Sequence, residues 1–268
     1  MTRDQDDSRL KQEIRGFRNL WKGGFFEGNP LDPFGFSGYS VFGFMNMLHV
    51  TYLMCIKPYI HTDTVVLEIG PGRGAWTKCF LGAKEVWCMD ALSAEHNGFY
   101  EYVGRHDHVK YFQVEDFSCR ALPENHFDYF FSFGCFCHIS PQGVHAYLQN
   151  ILPKLKSGAH GFLMVADYDK HNVAVSEFRK HLQPSRYLTR LRSIYIPTVI
   201  MARICNWFDP RKVTLYRDKN QSDEPHPGRW YHLGTKEERA MLKSLGYEVI
   251  EEDMGVNHRD PVIHFRKL

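Results

Sequence analysis

The stretch VVLEIGPGRGAW, which runs from Val65 to Trp76, decides the fold of this chain. A continuous apolar strand leads to Glu68, and Gly70, Gly72 and Gly74 then alternate through a turn. Glycine lets the backbone turn sharply and approach a ligand without a Cβ in the way. Free N–H groups at the start of a following helix favour an electron-rich or anionic group above them. The stretch therefore predicts a cradle for a nucleotide-type cofactor.

The bulk composition is that of an ordinary globular protein of one large domain, or of a core domain with insertions. The chain has 268 residues and a formal net charge of +2, which implies no polyelectrolyte partner for the molecule as a whole. Between Phe178 and Lys219, however, ten Lys and Arg residues stand against two aspartates. This local excess fits an anionic substrate, a phosphate-bearing surface or nucleic acid, and it equally fits a solvated helical face.

The cellular setting is predicted from cysteines and from apolar segments. Seven cysteines, an odd number scattered through apolar runs, are typical of a reduced cytoplasmic protein. The charged N-terminus lacks the apolar core of a signal peptide. The uncharged segment Pro33–Ile56 is long enough to cross a bilayer, but its glycines, polar residues and helical spacing favour a buried amphipathic helix. We therefore expect no membrane span and a cytoplasmic location.

Strands and helices alternate along the chain, which predicts a parallel sheet in an α/β domain. The predicted strands are Thr64–Ile69, Glu85–Met89, His108–Val114, Phe127–Phe133, Gly161–Ala166, Tyr247–Glu252 and Pro261–Lys267. The predicted helices are Val41–Ile60, Ala75–Leu81, Ala94–Val103, Gly143–Leu155 and Thr235–Leu245, the last capped by Thr235. The loop between the last two strands is too short for a crossover helix, so these strands can pair only antiparallel.

Three segments follow from this order of elements. Residues 1–62 are predicted to be an N-terminal helical extension, with residues 1–30 peripheral to the core. Residues 63–268 form the predicted core. Within it, residues 172–230 break the regular alternation after the fifth strand and are predicted to be an inserted substrate lid.

The glycine pattern alone leaves the cofactor open. Gly70-x-Gly72-x-x-Ala75 satisfies the dinucleotide fingerprint, and Asp90 at the end of the second strand suits a ribose contact in either case. Four features separate the alternatives: Glu68 before the first glycine, Pro71 inside the loop, the acidic loop Glu115–Asp116–Phe117, and the final helix with its tightly joined strands. An acidic residue beside an aromatic one is suited to holding an adenine.

The order VLEIGPGRG, VWCMD, VEDF, FDYFFSFG and LKSGAHGFLMVAD resembles the class I S-adenosylmethionine-dependent methyltransferases over residues 63–167 and, more weakly, 231–268. The resemblance implies a Rossmann-like sheet of seven strands with an antiparallel last hairpin, and S-adenosylmethionine above the strand ends. It implies that Asp90 holds both ribose hydroxyls and that Asp116 and Phe117 meet the adenine. The full set of implied cofactor contacts is Glu68, Gly70, Pro71, Gly72, Gly74, Asp90, Ala91, Asp116, Phe117, Phe133 and Gly134.

The residues after the fourth strand, SFGCFCHIS, carry information about the methyl acceptor. They lack the Asn/Asp-Pro-Pro-aromatic pattern of adenine amino methylation and the Pro-Cys pair of cytosine C5 enzymes, which disfavours nucleic-acid bases. Together with GPGRGAWT, the stretch is similar to a bacterial group of sugar O-methyltransferases. That resemblance implies His138 as the general base toward a hydroxyl of a sugar, a glycan or a sugar-containing small molecule. The alternative is that His138 caps the loop or the helix that begins near Pro141.

The chain departs from the sugar O-methyltransferase pattern at two places. Gly134 and Cys135 stand where that group often has an acidic residue, and Asp167, Tyr168 and Asp169 stand where it often has paired histidines. Asp167, with Asp169, is a second catalytic candidate, because the resemblance implies a magnesium ion held by carboxylates near the end of the fifth strand in some sugar O-methyltransferases, and hard oxygen ligands suit that ion. Two aspartates do not make a metal site, however, and no metal is assigned.

The predicted lid offers candidate substrate contacts at its end. These are His226, Arg229, Trp230 and Tyr231, and the basic residues before them are suited to an anionic acceptor. An RNA methyltransferase, a nicotinamide-dependent oxidoreductase and a non-catalytic binding module remain alternatives, and the oligomeric state is not predicted.

Overall fold

A computed structural model describes residues 3–26, 28–33, 46–180, 230–257 and 259–268. It contains a sheet of seven strands in the order β3-β2-β1-β4-β5-β7-β6. The strands are β1 (Val65–Ile69), β2 (Glu85–Asp90), β3 (Val109–Gln113), β4 (Phe127–Ser132), β5 (Leu155–Met164), β6 (Tyr247–Glu251) and β7 (Val262–Lys267). This is the sheet that the sequence predicts.

Helices pack on both faces of this sheet. They are α1 (Arg3–Leu20), α2 (Met47–Thr51), α3 (Phe99–Val103), α4 (Pro141–Ile151), α5 (Tyr168–Lys180) and α6 (Thr235–Leu245). A π-helical turn, Tyr52–Ile56, continues α2, and 3₁₀ turns cover Thr77–Phe80, Phe136–His138 and Leu152–Lys154. In the part of the chain described, no helix is long and apolar enough to cross a membrane.

The centre of the sheet is built from its most apolar strands. Every residue of β1 is buried, and β1 pairs parallel with both β2 and β4. Strands covered on both faces need such uninterrupted apolar runs. Because the connections from β1 and β4 run to opposite sides, the strand order reverses between these two strands, and α/β sheets form their ligand crevices at such a point.

The last hairpin has the predicted orientation, and the start of β5 differs from the prediction. Strand β7 lies antiparallel between β5 and β6. Strand β5 begins at Leu155 instead of Gly161, since Ser157 and Gly158 lie inside the strand at an irregularity of its pairing with β4. Leu155 pairs with Phe127, and pairing resumes only at His160 opposite Tyr129.

Three predicted helices differ from the structure for local reasons. The segment after the glycine loop forms only the 3₁₀ turn Thr77–Phe80, because too few residues lie between Gly74 and Gly82 to propagate an α-helix. The helix predicted at Ala94–Val103 is reduced to α3, since Gly98 takes a left-handed φ of 59° just before it. Helix α4 begins earlier than predicted, because the Ser140 side chain caps it and Pro141 suits its first turn.

The helix predicted at Val41–Ile60 is described only from residue 46 onward. This part buries Leu48, Cys55 and Ile56 against the face of the sheet that carries Val66 and Phe131. The described portion is therefore a packed element of the core, as its spacing predicts.

Glu238 on α6 is an anomaly in this core. It has no solvent exposure, and neither of its carboxylate oxygens has a hydrogen-bond partner among the described residues. Burial raises the pKa of Glu238 to about 8. The folded state disfavours the ionised form of this buried acid, so the free energy of unfolding falls as the pH rises from about 4.5 toward about 8.

We expect the gain in free energy of unfolding from Glu238→Met to be about 3 kcal/mol larger at about pH 7.5 than at about pH 5, because each pH unit between the two pKa values corresponds to about 1.4 kcal/mol. Urea denaturation at the two pH values measures the difference. Glu237→Met, on the exposed neighbour in the same helix, should show no such pH dependence. Equal effects of Glu238→Met at both pH values would contradict the buried-acid account.

Candidate active site

A cleft opens at the carboxyl ends of β1, β2 and β4, and the N-terminal segment covers it. It spans about 870 Å³ including its open mouth. From the predicted set, the cleft is lined by Gly70, Pro71, Gly72, Asp90, Ala91, Phe117, Phe133, Gly134 and His138. The structure therefore brings together residues from four separate loops.

The glycine loop forms the floor of this cleft. Gly70 and Gly72 have left-handed φ values of 75° and 53°. A Cβ on Gly70 would lie 2.4 Å from the Cβ of Cys135, and one on Gly72 would lie 3.0 Å from the carbonyl oxygen of Phe25. Both positions therefore need glycine for the approach of other chain segments as well as for the turn.

Gly74 lies apart from the other two glycines of the loop. It does not line the cleft. With φ at 98°, its Cβ would lie 2.2 Å from Cγ2 of Val103. Gly74 therefore allows α3 to pack closely behind the loop.

Asp90 ends β2 with its carboxylate beside the glycine loop. One oxygen accepts from the N–H of Gly72 at 3.2 Å and the other from the N–H of Leu92 at 2.9 Å. Burial raises the pKa of Asp90 to about 6, although these hydrogen bonds favour the charged form. An ionised carboxylate can accept further hydrogen bonds on both oxygens, which suits a pair of vicinal hydroxyls.

Two predicted carboxylate contacts lie away from the cleft wall. Glu68 is 1% exposed and accepts a hydrogen bond of 2.7 Å from the hydroxyl of Thr77. It therefore anchors the turn behind the glycine loop. Asp116 accepts from the N–H of Ser118 at 2.9 Å, which closes a local turn. The neighbouring ring of Phe117 lines the cleft and packs edge-on against Tyr147, with 4.6 Å between centroids.

His138 lies in the 3₁₀ turn that follows β4. The side chain is half-buried, and its ring lies 5.1 Å from the Trp21 ring at an interplanar angle of 67°. The N–H of His138 donates to the carbonyl oxygen of Cys135 at 3.0 Å, which fixes the turn. The imidazole is thereby held at the wall of the same cleft that Gly70 and Asp90 line.

The N-terminal wall of the cleft contradicts the prediction that residues 1–30 are peripheral. Ile14, Phe17, Trp21, Gly23 and Phe25 line the cleft. The spacing of Ile14, Phe17 and Trp21 is that of one helical face, and this signal could have identified an inward-facing helix.

Two polar anchors hold this N-terminal wall in place. Glu13, 2% exposed, accepts from the N–H and the hydroxyl of Ser140 at 2.6 and 2.7 Å. Arg18 donates to the carbonyl oxygens of Ala91 and Val114 at 3.1 and 3.2 Å. Helix α1 is therefore joined to the loops that follow β2, β3 and β4.

Asp167 does not line the cleft, and its carboxylate is engaged in structural hydrogen bonds. One oxygen accepts from the N–H groups of Asp169 and Lys170, and the other from the N–H and hydroxyl of Thr235. Burial alone would raise the pKa of Asp167, but these bonds outweigh it and hold the pKa below its ordinary value. The predicted cap by Thr235 is wrong, because the Thr235 hydroxyl donates to Asp167 and Gly234 is the capping residue. The geometry therefore gives the predicted catalytic role of Asp167 no support.

The predicted substrate contacts are only partly described. His226 and Arg229 lie outside the described residues. Trp230 packs against Tyr168 and Arg259, and the N–H of Tyr231 donates to the carbonyl oxygen of Cys137 at 2.9 Å. Neither ring lines the cleft, although Tyr231 supports the turn that carries His138. Among the residues described, no group of three or more His, Cys, Asp or Glu side chains is placed to hold a metal ion.

Comparisons with known proteins agree on one fold. Residues 52–252 match the family model described as "Methyltransferase domain". No curated protein matches the sequence.

Solved structures share the architecture at low sequence identity. An S-adenosylmethionine-dependent methyltransferase from Mesorhizobium loti is 14% identical, with 82% of this chain and 97% of that chain covered and a TM-score of 0.51. A protein assigned as a methyltransferase of the same class from Listeria monocytogenes is 16% identical, with coverages of 82% and 96% and a TM-score of 0.54. A Burkholderia thailandensis N1-methyltransferase, with bound 1,6-didemethyltoxoflavin and S-adenosylhomocysteine, is 17% identical, with coverages of 82% and 77% and a TM-score of 0.50.

The close approach at Gly70 generates a stability prediction with a matched control. Gly158 also has a left-handed φ, but a Cβ there would meet no atom of the described chain within 4 Å. We expect Gly158→Ala to cost about 1 kcal/mol from backbone strain alone. Gly70→Ala should cost about 2 kcal/mol more, because its methyl group also overlaps Cys135. Chemical denaturation of both variants measures this difference. Equal losses of unfolding free energy would show that Cys135 moves aside without an energetic cost.

Proposed function

Because the chain belongs to the methyltransferase-domain family, we propose that it transfers a methyl group from S-adenosylmethionine to a hydroxyl of a sugar or sugar-containing small molecule. The observation that supports this proposal best is His138 in the wall of the cleft that Gly70 and Asp90 also line. It puts a titratable base beside a cofactor cradle.

The cradle fits S-adenosylmethionine in its chemistry. Gly70 and Gly72 expose backbone without side chains, Asp90 offers acceptors for the ribose hydroxyls, and Phe117 offers an apolar ring edge or face for the adenine. The bound sulfonium supplies the electrophilic methyl group. The nicotinamide-dependent and non-catalytic alternatives have no support from family membership.

His138 is the proposed general base. A hydroxyl is a weak nucleophile while it keeps its proton, so a base at hydrogen-bond reach of that proton accelerates its attack. Alignment of the hydroxyl with the methyl group supplies a further part of the rate. The rings of Phe17, Trp21 and Phe25 line the approach, and apolar rings exclude water from the reacting atoms.

A sugar is the preferred acceptor for two reasons. The loop after β4 resembles that of sugar O-methyltransferases, and the described wall presents aromatic rings beside His138, which suit the apolar faces of a sugar ring. The basic residues between Phe178 and Lys219 favour an acceptor with an anionic group. The same basic residues would also suit RNA, so the experiment must distinguish RNA from a sugar as the acceptor.

Cofactor binding tests the role of Asp90. We expect the affinity for S-adenosylhomocysteine to fall as the pH is lowered through about 6, because the pKa of Asp90 is raised to about 6 and protonation removes hydrogen-bond acceptors. Asp90→Asn should weaken binding by roughly 10–100-fold and should flatten this pH dependence. Calorimetric titrations of both proteins at several pH values measure it. A pH dependence that persists in Asp90→Asn would assign the titration to another group.

Methyl transfer tests the role of His138 and the acceptor class. His138→Ala should lower turnover by roughly 10²–10⁴-fold, the usual contribution of general base catalysis, and should leave S-adenosylhomocysteine affinity within about twofold. His145→Ala, on an exposed position of α4, is the matched control and should change neither quantity.

The acceptor is identified by incubating the protein with methyl-labelled S-adenosylmethionine and cell extract, and then separating glycan, small-molecule and RNA fractions. Label in a sugar-containing fraction supports the proposal. Label confined to RNA would overturn the acceptor, and unchanged turnover of His138→Ala would remove that residue from the mechanism.

A further inference from the structure

Trp21 is a residue of the N-terminal wall whose ring packs against that of His138. The two rings are 5.1 Å apart, and the Trp21 ring also packs edge-on against Phe25 at 5.8 Å. The Trp21 carbonyl oxygen accepts a hydrogen bond from the His96 ring at 3.2 Å. The backbone N–H of Trp21 donates to the carbonyl oxygen of Phe17 at 3.0 Å, which extends the hydrogen bonding of α1. The backbone of Trp21 is therefore held on both sides.

The indole N–H of Trp21 has no partner of its own in the described part of the chain. Its Nε1 atom is enclosed, and no hydrogen-bond acceptor of the described residues meets it. A buried donor without an acceptor is unfavourable, so native structures rarely keep one without a reason. This orphaned donor belongs to a side chain of the cofactor cleft.

The rest of the described wall offers few groups that could receive an anionic group. Its lining contains neither lysine nor arginine. The amide of Asn97 is engaged, because it accepts from the N–H of Gly24 at 3.0 Å and donates to the hydroxyl of Tyr111 at 2.9 Å. Besides the His138 ring, an anion in this part of the cleft meets N–H donors, and the indole N–H of Trp21 is an enclosed one that has no acceptor among the described residues.

We propose that the indole N–H of Trp21 donates a hydrogen bond to the α-carboxylate of bound S-adenosylmethionine. Asp90 is placed for the ribose, so the amino acid end extends over the glycine loop toward the N-terminal wall. That wall touches the loop directly, since the N–H of Arg73 donates to the carbonyl oxygen of Phe25 at 3.2 Å. The inference rests on the proposed function only in that S-adenosylmethionine is the methyl donor, and it is independent of the methyl acceptor.

The test compares two ligands that differ only in the carboxylate. These are S-adenosylhomocysteine and its decarboxylated analogue, 5′-deoxy-5′-(3-aminopropylthio)adenosine. Trp21→Phe removes the N–H and keeps an aromatic ring. We expect it to weaken S-adenosylhomocysteine by roughly 30-fold, which corresponds to about 2 kcal/mol, and to change the affinity of the analogue by less than about twofold.

Phe17→Leu is the matched control, because Phe17 lines the same wall without a polar atom. It should affect both ligands equally. Equal losses for both ligands in Trp21→Phe, or no loss for either, would overturn the carboxylate assignment and leave the methyl donor unchanged. Failure of S-adenosylhomocysteine to bind the wild-type protein would instead overturn the assignment of S-adenosylmethionine as the methyl donor, and with it this inference.

A second measurement needs no variant and covers the case in which Trp21→Phe does not fold. In protein labelled with ¹⁵N-tryptophan, the Trp21 indole proton is identified by its proximity to the His138 ring. It should move downfield on addition of S-adenosylhomocysteine and not on addition of the analogue. The same movement with both ligands would exclude the carboxylate as the acceptor.

Discussion

The close approach of the glycine loop to the loop after β4 is the constraint on which the site depends. At Gly70 there is no room for a side chain, since a Cβ would lie 2.4 Å from that of Cys135. The N–H of Gly70 donates to the carbonyl oxygen of Met89 at 2.8 Å, which ties the same point to the end of β2. Three strand ends thus converge on one residue, and the positions of Asp90 and His138 follow from it.

Much of the sheet could be predicted because its signals are local. The apolar run of β1, the glycines after it and the short loop before β7 each restrict the chain within a few residues. Local spacing at Ile14, Phe17 and Trp21 indicates an inward-facing helix, but its place over the cleft could not be predicted, because its anchors are distant in sequence: Glu13 meets Ser140 across 127 positions. The predicted cap at Thr235 was wrong for the same reason, as its hydroxyl meets Asp167 across 68 positions.

The candidate site was predictable where backbone conformation and function coincide. Gly70 is identifiable because a left-handed turn at a strand end needs glycine, and Asp90 because it follows the next strand. Glu68 and Asp116 carry the same kind of signal, yet their carboxylates serve local turns. A carboxylate at a strand end is equally suited to bind a ligand or to hold a backbone N–H, and only the tertiary contacts distinguish the two roles.

The charge of the cleft wall is consistent with the proposed reaction. Among the described lining residues, Asp90 is the one carboxylate, and no lysine or arginine faces it. A cation in this wall would repel a sulfonium in surroundings where charges are poorly screened. In the proposed reaction, S-adenosylmethionine would supply a positively charged methyl donor and His138 would receive the hydroxyl proton, so the net charge of the cleft would be conserved. A neutral donor such as the Trp21 indole N–H can hold a carboxylate throughout without opposing that transfer.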